Sequence, residues 1–157
     1  MKDTELRQAA LDYLNLKLKN DERPFVSSFA VARGRDGGLI FIEMPDMNVQ
    51  QQRFTLKATL LRDGATAVVV VNEVYVATAT TDEDRELVAR LAAAERLQDA
   101  PAHLLHDELH LMCESVDEAI TMEATAVPKP GEPLGTWEHM VVRLPRPGFK
   151  RYLPERP

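Results

Sequence analysis

The chain has 157 residues, of which 45% are hydrophobic and 28% are charged, and this composition predicts one globular domain with a sizeable core. The formal net charge of −6 argues against general nucleic-acid binding, which depends on cationic contacts to phosphates. The single cysteine, Cys113, excludes an intramolecular disulfide and fits a reducing compartment. The charged amino terminus is unlike a signal peptide, and no run approaches the ~18 apolar residues of a membrane helix. We therefore expect a soluble, cytoplasmic protein without a membrane segment.

The first third of the chain predicts a helix followed by a β-hairpin. Apolar residues recur at helical spacing over residues 2–19, and Pro24 prevents the helix from continuing further. Residues 25–33 and 39–44 alternate as a pair of strands. The Gly-rich stretch between them contains an Asp-Gly pair, which is a strong turn signal because glycine accepts positive φ. It lacks the Lys-Ser/Thr of a phosphate-binding loop, so we interpret it as a turn.

The valine-rich stretch at residues 64–80 is the predicted centre of the fold. A helix over residues 47–62 precedes it, with Asp46 or Asn48 as its cap. Four successive valines then point alternately to the two faces of a sheet, so both faces must be covered there.

Glu73 interrupts the apolar pattern of this strand. A carboxylate among valines is costly to bury without a partner. Three explanations are open: the strand has left the core, a bulge turns the side chain outward, or Glu73 has a specific partner. We favour a solvated or salt-bridged glutamate at a sheet edge.

The remaining elements are a helix over residues 82–98, two strands within residues 104–127 and a strand over residues 137–144. Thr81 caps the helix, and its acidic first turn suits the positive end of the helix dipole, so no metal is needed to explain the acidic cluster. The helix has the composition of an exposed element at a subunit contact. The two strands alternate apolar and polar residues, which is typical of a half-buried antiparallel hairpin.

Together these elements predict the α+β class. We expect a single domain over residues 1–144, with an antiparallel or mixed sheet of about five to six strands and two to three packed helices. The first two helices should pack on the sheet, whereas the helix at residues 82–98 covers the second face or a partner. Residues 145–157 form a Pro-rich basic tail that lies against the body or hangs free.

Three histidines form the best candidate constellation for metal binding. On a helix, His103, His106 and His110 would share a face that Cys113 continues, a ligand set that zinc accepts. On a strand, His106 and His110 share a face with Glu108 between them, while Cys113 points the other way. The period-two alternation favours the strand, and neither HExxH nor paired CxxC is present. We therefore predict no metal site and no cofactor, and we expect Cys113 to be an inert packing residue.

The tail differs in charge from the rest of the chain. Residues 128–157 carry six Lys/Arg and three Glu, so the remaining body is strongly acidic. Aromatic residues interleave with these cations, as in contacts with single-stranded nucleic acid, but the acidic body opposes such a contact. We favour docking of the tail on an acidic surface of the same chain, of a sister subunit or of a protein partner.

The segments GATAVVVVNEVYV and DELHLMCESVDEAITMEATAV, which follow a helix in this order, resemble a group of small bacterial and phage proteins of unknown function. Those proteins carry an apolar strand ending in Ser-Glu-Ala-Trp, then a Glu-Ala-Leu strand and its hairpin partner. Only Glu73 and the aromatic Tyr75 are comparable with the first motif, and the resemblance spans roughly residues 48–127. It implies the order helix, strand, hairpin and a purpose for Glu73, and it brings no activity.

Two functions are consistent with these observations. We predict first a non-catalytic binding or assembly protein that forms homo-oligomers, because catalytic motifs are missing, tail and body are oppositely charged, and the sheet needs both faces covered. The alternative is a small enzyme or ligand-binding protein with a pocket at the end of the central strand. Its candidate residues are Glu73, as a general base with a raised pKa, together with Tyr75 and His110.

Overall fold

A computed structural model describes residues 3–20, 26–45, 47–118, 122–126, 134, 141–144 and 150–154. These residues form three α-helices and six β-strands: α1 (Thr4–Lys19), β1 (Phe29–Arg33), β2 (Leu39–Glu43), α2 (Val49–Arg62), β3 (Ala67–Ala77), α3 (Asp82–Ala93), β4 (Leu105–Ser115), β5 (Met122–Ala126) and β6 (Val141–Arg143). The predicted α+β class is confirmed. No helix in the described part of the chain is long and apolar enough to cross a membrane.

The described strands form one antiparallel sheet in the order β2-β1-β3-β4-β5-β6. β3 and β4 lie at its centre and pair along their whole length, from Ala67 opposite Ser115 to Ala77 opposite Leu105. Their neighbours β1 and β5 are 5 residues long, less than half the 11 of β3 and β4. The outer half of the β3–β4 pair therefore extends beyond the rest of the sheet.

One face of the sheet is covered by α1, and we call it the α1 face. Leu6, Ala10 and Leu14 lie at helical spacing and are buried in one cluster with Val69 and Val71 of β3. Removing these side chains from water is the main favourable contribution to folding on this side.

The opposite face, which we call the α2 face, is covered jointly by α2 and by residues 150–154, the C-terminal segment. Leu56 and Leu60 of α2 are buried in one cluster with alternate valines of β3, and Leu153 of the C-terminal segment belongs to the same cluster. Both sides of the valine run, residues 68–71, are therefore covered, as the alternation of the sequence predicted, and elements of the same chain provide the cover.

β3 leaves the core at Asn72, because its residues are buried as far as Val71 and half-buried beyond it. The pairing with β4 continues through Glu73 without interruption, so no bulge turns this residue. The Glu73 carboxylate accepts a hydrogen bond from the backbone N–H of Val26 at 3.0 Å. Of the three explanations for this residue, departure from the core and a specific partner apply, and the bulge does not.

α3 is shorter than the predicted helix over residues 82–98, since it ends at Ala93. Glu95 has φ of 55°, the left-handed conformation that often terminates helices, and the N–H of Arg96 reaches back to the carbonyl of Leu91. None of the α3 residues is fully buried. The expected cover of the second face comes instead from α2 and the C-terminal segment, and α3 is a peripheral element of the β3–β4 connection.

The predicted hairpin near the end of the chain is formed by β4 and β5, with Cys113 opposite Met122. Several other predictions lie partly or wholly outside the described residues. Of the strand expected over residues 137–144, only residues 141–144 are described, and they contain β6. Of the expected tail, residues 145–157, only residues 150–154 are described, and the other tail residues lie outside the described part of the chain.

Candidate functional site

A row of polar side chains follows β4 along the α2 face. His106, Glu108 and His110 alternate there with residues of the α1 face. Glu108 bridges the two histidines, with its Oε2 3.0 Å from His106 Nε2 and its Oε1 3.3 Å from His110 Nε2. Burial raises the pKa of Glu108, but the hydrogen bonds from both histidines outweigh it and hold that pKa below its ordinary value. The shared face that the strand interpretation predicted for these histidines is therefore present.

His110 is held on its other side by Glu123 of β5. Its Nδ1 lies 2.6 Å from Glu123 Oε1, and the Glu123 side chain is buried. His110 is paired with Thr125 in the strand register, so Glu123 is its diagonal neighbour, within reach of a long side chain. Both ring nitrogens contact carboxylates, and they can donate to both only when the imidazole carries two protons. The two glutamates thus fix the orientation of the ring.

A groove of about 750 Å³ opens beside His110 on the α2 face. Asn72 and His110, which are directly opposite each other on β3 and β4, lie at its floor. The first turn of α2, Tyr152 of the C-terminal segment and Glu95 at the end of α3 form its walls. This volume is in the range of small-molecule sites, so the groove is the candidate functional site of the described residues.

Glu73 and Tyr75, the other residues predicted for this end of the strand, belong to the α1 face. Glu73 borders the groove, but its carboxylate is directed to the Val26 N–H on the opposite side of the sheet from the His110 ring. Burial, together with Asp107 and Glu73, raises the pKa of the half-buried Tyr75. The structure therefore does not bring Glu73 and Tyr75 together with His110 around one ligand position.

His103 lies in a short 3₁₀ turn before β4, away from the strand positions of His106 and His110. Within the described ranges, no group of three or more His, Cys, Asp or Glu side chains is arranged to hold a metal ion. Cys113 is buried on the α1 face, and burial raises the pKa of its thiol to about 12. A thiol with so high a pKa is a packing group and not a nucleophile at neutral pH.

A second buried carboxylate, Glu114, holds the C-terminal segment on the sheet. It accepts hydrogen bonds from the backbone N–H groups of Tyr152, at 2.9 Å, and Leu153, at 3.2 Å. The guanidinium of Arg151 lies 3.4 Å from it and also donates to the backbone carbonyls of Ser115 and Glu118 after β4. These contacts complete the α2 face and position Tyr152 as a wall of the groove.

Sequence reasoning did not identify Asn72, Glu114 or Glu123 as site residues. Alternation placed the two glutamates on the polar side of a half-buried hairpin, which predicts exposed carboxylates, whereas both are buried. One signal was available, because the polar residues of two paired strands share a face, and this makes Glu108, His110 and Glu123 neighbours. The C-terminal segment that helps to bury this face gave no comparable signal.

Comparison of the chain with protein-family models, with characterised proteins and with solved structures found no match. The resemblance to small bacterial and phage proteins therefore stays a prediction. The function has to be argued from the geometry of this chain.

Proposed function

We propose that the protein is a non-catalytic assembly protein that forms homo-oligomers, with β2 pairing with the same strand of a second copy. The outer edge of β2 is the observation that carries the proposal. β2 ends the sheet, and within the described part of the chain its pairing is with β1 alone. An edge strand presents unpaired N–H and C=O groups to which another strand can be added.

The composition of β2 supports such pairing. Four of its five residues, Leu-Ile-Phe-Ile-Glu, are apolar, and isoleucine and phenylalanine favour strands. Many proteins protect an edge with lysine, proline or a bulge. β2 contains neither lysine nor proline, and its register with β1 is unbroken. The edge is thus well suited to accept a further strand.

Two exposed apolar side chains, one on β2 and one on α1, lie on the α1 face of the sheet. Phe41, at the centre of β2, is 50% exposed, and its ring packs edge-on against Tyr13 of α1 with centroids 5.4 Å apart. Leu16, one turn further along α1, is 52% exposed. A second copy that pairs with β2 would remove apolar area of this kind from water.

An antiparallel pair of β2 strands related by a twofold axis near Phe41 has a self-complementary geometry. The Phe41 rings then face each other, and Glu43 lies opposite the partner's Leu39. The two Glu43 carboxylates are separated by four residues along the strand direction, about 14 Å, so they do not repel each other strongly.

Two other grounds for assembly that the sequence suggested do not support this proposal. α1 and α2 already cover both sides of the valine run, so those residues require no partner. The cation of Arg151 contacts Glu114 of its own chain, so docking of this segment requires no partner either. The proposal therefore depends on the edge of β2.

Size-exclusion chromatography with light scattering tests the proposal. We expect the wild-type chain to form a concentration-dependent dimer or larger oligomer. Phe41→Lys places like charges next to the twofold axis and should shift the chain to the monomer. Phe54→Lys is the matched control, because Phe54 is 76% exposed on α2 and does not belong to the edge.

Both substitutions replace exposed side chains, so each variant is expected to fold, and circular dichroism checks this. A wild-type monomer at every concentration would contradict assembly. Dissociation by Phe54→Lys and not by Phe41→Lys would contradict the β2 interface.

One observation favours the alternative function, a ligand-binding protein or small enzyme at the end of the central strand. It is the groove beside His110. Glu73 and Tyr75 are directed away from that groove, so the geometry supports a binding role based on Asn72 and His110 better than catalysis by Glu73.

A further inference from the structure

We propose that the groove beside His110 binds a small aliphatic amine, that is, an organic cation with a short methylene chain. The groove lies between the outer half of β3–β4, the first turn of α2 and the C-terminal segment. It does not include the edge of β2, so this proposal is independent of assembly.

The charges around the groove favour a cation. No lysine or arginine is among the described residues that line it, whereas Glu95 is exposed at its rim. Behind the groove, Glu108 and Glu123 contact His110 from two sides, and Glu108 also contacts His106. A cleft whose charged side chains are of one sign concentrates ligands of the opposite sign.

The polar groups of the groove match the needs of an ammonium group, which has three donors and no acceptor. Asn72 places an amide beside His110 at the floor. Gln52 of α2 also lines the groove, and its amide nitrogen donates to the Met47 carbonyl at 3.2 Å. Amide oxygens at the floor and wall, with the Glu95 carboxylate at the rim, can therefore satisfy the donors of the ligand.

The apolar lining suits the methylene chain of such a ligand. Met47 and Val49 at the start of α2, Val74 on β3 and the Tyr152 ring all border the groove. An ammonium group at the polar floor and methylenes against these side chains would match each part of the ligand with its preferred surroundings.

Isothermal titration calorimetry at low ionic strength tests the proposal with 1,4-diaminobutane as the amine and inorganic phosphate as the anion. We expect saturable 1:1 binding of the diamine and no binding of phosphate. Glu95→Gln should weaken diamine binding about two- to fivefold, because one partly screened charge is lost. Asn72→Leu removes a polar group at the floor and should weaken it about tenfold or more.

Glu83→Gln is the matched control, since Glu83 is an exposed carboxylate of the same β3–β4 connection and does not line the groove. It should leave the affinity unchanged, and Phe41→Lys should do so too. No diamine binding by the wild type, tighter binding of phosphate, or equal weakening by Glu83→Gln and Glu95→Gln would each overturn the proposal. Because Glu95 is exposed, its variant keeps the test decisive even where Asn72→Leu fails to fold.

Discussion

The carboxylate of Glu114 is buried between the sheet and the C-terminal segment, where it would be costly without hydrogen-bond donors. The N–H groups of Tyr152 and Leu153 and the guanidinium of Arg151 supply them. Burial nevertheless outweighs these donors and raises the pKa of Glu114 above its ordinary value of 4.5. The folded chain therefore holds this proton more tightly than the unfolded chain. The contribution of Glu114 to the free energy of unfolding must then fall as the pH rises from 4.5 through the raised pKa.

Glu114→Gln is expected to lower the free energy of unfolding by about 1–3 kcal/mol in acid, because the hydroxyl oxygen of the protonated carboxyl can still accept from a backbone donor and the N–H₂ group of the amide cannot. Urea denaturation from pH 4 to pH 8 measures this difference. The advantage of the wild type should be largest in acid and should shrink as the pH rises. Glu86→Gln, at an exposed position on α3, is the control and should show neither effect. An advantage that grows with pH would mean that the donors, and not burial, dominate the pKa of Glu114.

Single residues differed in how far the sequence predicted them. Cys113 falls on the apolar side of an alternating strand, so its burial followed from parity alone. Glu73 was recognised as unusual, but its partner is the Val26 N–H, 47 positions earlier in the chain. Glu114 and Glu123 were expected on the solvent-exposed surface, but both are buried. The C-terminal segment, which is distant in sequence, covers Glu114. Parity identifies the face of a strand, whereas only tertiary packing decides whether that face is covered.

At the scale of elements, the C-terminal segment acts as part of the core although it has no regular secondary structure. Its proline content predicted an irregular chain that either lies on the body or hangs free, and no local pattern distinguishes these two states. Leu153 is 2% exposed and packs in the cluster with Leu56 and Leu60 of α2. Arg53 of α2 donates to the Lys150 carbonyl and holds the start of the segment.

Leu153→Ala should therefore lower the free energy of unfolding by about 2–5 kcal/mol, as expected when a buried leucine leaves a cavity. Leu144→Ala is the matched control, because Leu144 is 66% exposed and its loss should change stability by less than about 0.5 kcal/mol. Thermal or urea unfolding of both variants measures the difference. Equal, small effects would show that the segment does not contribute to the core.

Elements with strong local signals were predicted well. The turn between β1 and β2 contains Gly37 with φ of 85°, which is the positive φ that the Asp-Gly pair predicts. α2 begins with a capping box, in which the side chains of Asn48 and Gln51 each accept a hydrogen bond from the other residue's backbone N–H. The start of this helix was therefore predicted to within two residues. The end of α3 was not readable, since Glu95 adopts a left-handed conformation that glycine usually takes.

At the scale of the whole molecule, the valine run lies between two covering layers, and the β3–β4 pair is the longest in the sheet. The α+β class and the need for cover on both faces followed from composition and alternation. The strand order did not, because β3 and β4 are joined through α3, and nothing local indicates that β1 is the other neighbour of β3. Long-range pairing of this kind depends on the combined fit of all the elements.

This arrangement predicts an uneven distribution of local stability. Backbone amides of the valine run should exchange with deuterium most slowly, because they are buried and hydrogen-bonded between two strands. Amides of α3 should exchange fastest among the helices, since none of its residues is fully buried. Hydrogen–deuterium exchange followed by mass spectrometry measures both. Protection of α3 equal to that of the valine run would contradict its peripheral position.

The excursion that carries α3 leaves the sheet after Thr78 and returns at Leu104, and the N–H of Thr78 donates to the carbonyl of Leu104 at 2.9 Å. This hydrogen bond joins the two ends of the connection between β3 and β4. A fluorescent reporter or an epitope inserted into α3 near Ala92 would lie away from the buried valine run. We therefore expect this connection to tolerate insertions and changes of length better than the strands of the sheet do.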